Sequence, residues 1–107
     1  MRFYGLLEDQ LLNNEPSLEE LRRKIEEVTM EIFRLCGERL RLAKQIAKIK
    51  AEENLPVTNV KVEEKLESKI LELCEKEAID KDFGSKLLQV LLEESKRVQH
   101  EMLKQKT

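Results

Sequence analysis

An all-α fold of three helices, the first very long and intertwined with that of a second copy in a homodimer, is what this sequence predicts. Three observations carry the expectation. Leu, Glu, Lys, Ile and Arg dominate, while glycine and proline number only 3 and 2 of 107 residues, a composition suited to long helices. The residues Leu21, Ile25, Val28, Ile32, Leu35, Arg39, Leu42, Ile46 and Ile49 alternate spacings of four and three without a break, the pattern of a helix that packs along one stripe. Finally, 39% charged residues with 4% aromatics leave little material for a large globular core.

Residues 1–16 contain Gly5, Asn13, Asn14 and Pro16 and read as an extension of no legible role, with a short helix expected around Tyr4 to Leu12. A helical domain over 17–107 follows. Ser17-Leu18-Glu19-Glu20 matches a capping box, with the hydroxyl and the Glu20 carboxylate placed to satisfy the first free amides. The first helix therefore starts here, and nothing breaks it before Asn54-Leu55-Pro56 except Gly37, tolerated at about 1 kcal/mol. It spans about 36 residues, or about 54 Å. A compact chain of this length has a radius of gyration of about 13 Å, so the stripe asks for a second chain. Two long helices lying together with the shorter ones folded over them is the simplest arrangement. Val62, Leu66, Ile70 and Leu73 predict a second helix ending near Lys76 to Ile79, and Asp80 caps a third that buries Leu87, Leu88, Leu91, Val98 and Met102.

Charge and composition exclude several classes of function. Lys and Arg total 20 against 22 Asp and Glu, interleaved along the chain, which argues against a nucleic-acid binder. No apolar run approaches the roughly 20 residues of a membrane span, and Glu8 and Asp9 follow the start too closely for a secretory signal. Cys36 and Cys74 are too isolated for a zinc site, and His100 lies in a polar stretch, so no metal is expected. As small buried hydrophobes in a reducing compartment, the cysteines point to the cytoplasm.

The polar residues that interrupt the apolar faces carry the chemistry. Arg39 sits in the stripe and cannot lose its charge, so it needs either an intramolecular carboxylate or an anionic ligand. Lys50 is eleven residues on, on the same face and roughly 16 Å along the axis. Two such cations can grip a compact carboxylate-bearing molecule. Arg22, about 25 Å from Arg39 along the rod, cannot share a small ligand with it in one chain, but can in an antiparallel pair of copies. Ser95 interrupts the apolar series of the third helix, and Gln99 lies one turn further, so both project from one side as neutral donors. Glu63 follows Val62 near the connection, placed to orient a hydroxyl. The inventory holds no nucleophile and base pair, metal set or phosphate loop.

The stretch Leu21-Arg22-Arg23-Lys24-Ile25, then Glu38-Arg39, Ala47-Lys48-Ile49-Lys50 and Pro56-Val57, resembles the first helix and connection of the all-helical chorismate mutases. Leu91-Leu92-Glu93-Glu94-Ser95-Lys96-Arg97-Val98-Gln99 resembles their last helix, and the likeness covers about residues 18–103. The resemblance implies an intertwined dimer with two shared sites that converts chorismate to prephenate, an early step toward phenylalanine and tyrosine, with no covalent intermediate and no cofactor. It also implies roles: Arg39 and the partner copy's Arg22 hold the two carboxylates, Lys50 and Gln99 bond the ether oxygen, Glu63 accepts from the ring hydroxyl and Ser95 helps fix a carboxylate.

Two positions depart from the family pattern. Asn59 stands where Asp is common, its amide and side chain still able to serve the substrate. Val62 stands where an Arg commonly precedes the Glu, so Lys61 or Lys65 is expected to compensate, or binding to be weaker. An isochorismate pyruvate lyase of the same fold and a non-catalytic helical interaction module are the competing expectations. Domains of this kind are also attached to, or bind, other enzymes of aromatic biosynthesis, which leaves a partner enzyme as a further expectation.

Overall fold

The computed structural model describes residues 15–105, which form α1 (Leu18–Glu52), α2 (Val60–Lys76) and α3 (Lys81–Gln105), with no strand among them. The helix expected around Tyr4 to Leu12 lies outside the described residues. Backbone proximity divides the chain into a unit up to Leu35 and a unit from Cys36 onward.

The helix boundaries follow from local chemistry. At the start of α1, Ser17 Oγ accepts from the Glu20 amide at 3.1 Å and the Ser17 amide donates to Glu20 Oε1 at 3.1 Å, the reciprocal pair of a capping box. At its end, Asn54 takes a left-handed φ of 58°, and the Leu55 amide donates to the Lys50 carbonyl at 2.8 Å, closing the last turn. Asn59 caps α2, its Oδ1 accepting from the Val62 amide at 3.1 Å. The apolar series alone placed that start at Val62; the cap moves it to Val60. Ala78 ends the α2 turn at φ 57°, a conformation in which a Cβ is strained. Asp80 caps α3 as expected, accepting from the Phe83 amide at 2.9 Å.

In the second unit α2 and α3 pack together, and Gly84 of α3 lies close against α2. A Cβ there would overlap Cys74 Sγ, with Ile70 Cγ2 at 3.8 Å. Cys74 is buried as expected, Cys36 only partly, and both thiols are free. Leu88 and Val98 of α3 are buried and Leu91 and Met102 half-buried, but Leu87, expected in the core, is exposed.

The long apolar stripe is left open by its own chain, in keeping with the expectation that it needs more surface than one chain offers. Its apolar members are all exposed within one chain, from 44% for Leu21 to 68% for Ile25. The buried residues of α1 are instead Ala43 and Ala47, each one position after a stripe residue and so about 100° around the helix. The carboxyl-terminal half of α1 thus carries two apolar faces, a small one covered by its own chain and a large one left uncovered.

Candidate active site

Arg39 and Lys50 of α1, Asn59 and Glu63 of α2, and Ser95 and Gln99 of α3 line one cavity of about 150 Å³, together with Lys96 and an apolar wall that includes Ile46, Leu66 and Leu92. The pocket lies wholly within the second unit, and six of the seven residues singled out from sequence meet there. The seventh, Arg22, belongs to the first unit and is exposed.

Each side chain is placed by a specific contact. Arg39 Nη1 donates to the Leu91 carbonyl at 3.0 Å, so its partner within the chain is a main-chain oxygen of α3 in place of the intramolecular carboxylate that was one of the two expectations. Lys50 Nζ donates to the Val57 carbonyl at 2.6 Å. Because the Lys50 carbonyl also accepts from the Leu55 amide, this one residue ties down the α1 to α2 connection twice. Asn59 Oδ1 is committed to the α2 cap, which leaves its main-chain N–H and its side-chain Nδ2 as the donors a ligand can use.

Gln99 is 6% exposed. Its Nε2 donates to Ser95 Oγ at 3.2 Å, the i,i+4 geometry expected of the pair, while Oε1 is buried without a hydrogen-bond partner. Nε2 has a second proton for a ligand oxygen. Turning the amide by half a rotation lets the Ser95 hydroxyl donate to Oε1 and puts Nε2 where the unpartnered oxygen stood.

Sequence reasoning missed Lys96. Its Nζ lies 2.9 Å from Glu63 Oε2, the side chains 29% and 26% exposed, whereas Lys61 and Lys65, the expected partners of Glu63, are exposed on α2. A signal was available, since position 96 is one residue after Ser95 and three before Gln99, at the edge of the same face. Its meeting with Glu63 depends on how α2 and α3 pack and could not be read from spacing.

Residues 21–100 match the family model described as chorismate mutase type II. The chain belongs to that family. A chorismate mutase of Methanocaldococcus jannaschii is 34% identical over 88 residues, which cover 82% of this chain and 89% of the relative. A bifunctional chorismate mutase/prephenate dehydratase of Aquifex aeolicus is 45% identical over 56 residues, 52% of this chain and 16% of that longer protein. Membership of the type II chorismate mutases makes the chain an isomerase. Among the described residues no helix is long and apolar enough to cross a membrane, and no group of three His, Cys, Asp or Glu could hold a metal ion.

Proposed function

We propose that this cavity binds chorismate and rearranges it to prephenate, with two copies of the chain completing each site. The charge of the cavity carries the reading. Arg39, Lys50 and Lys96 stand against Glu63 alone, a positive excess that suits a dicarboxylate. Arg39 exchanges its neutral carbonyl acceptor for a substrate carboxylate, a stronger charge-assisted bond, and the partner copy's Arg22 takes the other carboxylate. Ser95 adds a hydroxyl to the first, and Glu63 accepts from the ring hydroxyl, with the Asn59 amide beside it.

The reaction is an intramolecular [3,3] rearrangement in which one C–O bond breaks as one C–C bond forms. Partial negative charge grows on the ether oxygen, so Lys50 and Gln99 directed at that atom stabilise the transition state more than the ground state. Holding both carboxylates selects the compact conformer in which the reacting carbons meet. The uncovered stripe of α1 supports the homodimer, since a contiguous apolar surface of that extent on a monomer is unusual. The free thiols fit a cytoplasmic location.

The test is incubation with chorismate and, separately, isochorismate, with products identified. Prephenate from chorismate is expected. Pyruvate released from isochorismate instead would establish the lyase, and no turnover of either would leave a non-catalytic interaction module. Lys50→Ala should lower kcat by about 100-fold or more, the usual cost of removing one preorganised donor from developing charge; full activity in that variant would overturn the mechanism.

A further inference from the structure

Glu63 shares a small cavity with Arg39 and Lys50, and this creates a problem for any anionic ligand. A glutamate free to swing toward Arg39 would compete with the carboxylate which that cation has to hold. In the structure it is paired instead with α3, Lys96 Nζ lying 2.9 Å from its Oε2. Both side chains are about three-quarters buried, where such a pair is less screened than at the surface. The other carboxylate oxygen is left as the one that can accept from a ligand.

Residues beside Glu63 in sequence do not offer the same restraint. Val62 also lines the cavity and has no charge, and Lys61 and Lys65 are exposed. The restraint comes from α3, from the turn that also carries Ser95 and Gln99. A shift of α3 against α2 would therefore move Lys96, Ser95 and Gln99 together.

We propose that Lys96 is a positioning residue for the substrate site: by fixing Glu63, it keeps that carboxylate from neutralising Arg39 and aims its second oxygen at the ring hydroxyl. This rests on the chorismate reading. The effect falls on binding shared by ground and transition states, so it should change KM rather than kcat.

The experiment is a double-mutant cycle in steady-state kinetics on chorismate, using Lys96→Ala, Glu63→Gln and the double variant, with Lys96→Arg as the conservative control. Folding of each is checked by circular dichroism. Lys96→Ala should raise KM about tenfold with kcat within about threefold, Lys96→Arg should stay near wild type, and Lys96→Ala should have no further effect once Glu63 is Gln. An unchanged KM in Lys96→Ala overturns the proposal. So does an equal penalty in the Glu63→Gln background, which would mean that Lys96 touches the substrate directly. The ¹³C resonance of the Glu63 carboxyl gives a readout that needs no turnover: it should shift in Lys96→Ala and hold still in Lys61→Ala and Lys65→Ala. A wild type that leaves chorismate untouched while showing that shift would overturn the substrate and not the pairing.

Discussion

Arg39 Nη1 donates to the main-chain oxygen of Leu91 at 3.0 Å, so the guanidinium that interrupts the apolar stripe of α1 is docked on α3 by a neutral acceptor. A substrate carboxylate outcompetes such an acceptor because the resulting bond joins two opposite charges. Arg39→Ala should therefore cost about 3 kcal/mol of transition-state binding, or about 100-fold in kcat/KM. Arg39→Lys should recover only part of this, since an ammonium lacks the planar fork that meets a carboxylate twice. Steady-state kinetics on chorismate checks both, and an unchanged kcat/KM in Arg39→Ala would remove this residue from the site.

What the sequence disclosed was local. The Ser17 cap, the Asp80 cap and the i,i+4 pairing of Ser95 with Gln99 each depend on residues within one turn, and each is present. The Lys96–Glu63 pair joins α3 to α2, and no periodicity within either helix announces it. The stripe shows the same limit from the other side. Spacing showed that Leu42 and Ile46 lie on an apolar face that one chain does not cover, and they are exposed, but not that the chain would cover the alanines next to them.

That exposure gives a test of the dimer. Ile32 is already exposed within one chain, so in a monomer Ile32→Glu should change stability by no more than about 0.5 kcal/mol. Across a helix pair the same charge would be buried against apolar partners, at a cost of several kcal/mol. We expect wild type to sediment with the mass of two chains, and Ile32→Glu to sediment as one chain and to lose activity because Arg22 is no longer supplied. A wild-type mass of one chain, with full activity, would refute the shared site.

The donor proposed for the ether oxygen at position 99 is an amide, which has no proton to lose in the working range. Turnover should therefore not fall steeply between about pH 6 and pH 8 while the protein stays folded. Gln99→Glu should introduce such a fall: a glutamic acid donates only when protonated, and its carboxylate repels the charge that develops on the oxygen. Activity of this variant should be highest at low pH and decline as pH rises. A profile parallel to that of wild type would mean that position 99 does not face the ether oxygen.

Gly84 lies tight against α2, because a Cβ at that position would overlap Cys74 Sγ. Gly84→Ala should destabilise the chain by about 1–3 kcal/mol through overpacking, despite alanine's better helix propensity. Cys74→Ala removes the clashing sulfur, so the double variant should be more stable than the sum of the two single losses allows. Urea melts of the four proteins read this directly, and strict additivity would show that the two helices separate freely at this point.

At the other end of α1, the Glu20 carboxylate is held below its ordinary value of 4.5, first by the hydrogen bond from the Ser17 amide and then by that from the Ser17 hydroxyl. A carboxyl whose value is lower folded than unfolded contributes stability that is complete above the unfolded value and lost as pH falls through the folded one. Glu20→Gln keeps the acceptor oxygen but removes the charge. The variant should therefore melt below wild type near neutral pH, and the gap should close as the medium is acidified through about pH 4 and below. Since Glu20 is exposed, added salt should narrow the gap as well. Melting temperatures for both proteins across that range decide the matter: a gap as wide at pH 3 as at pH 7 would mean that the Glu20 charge does not secure the helix start.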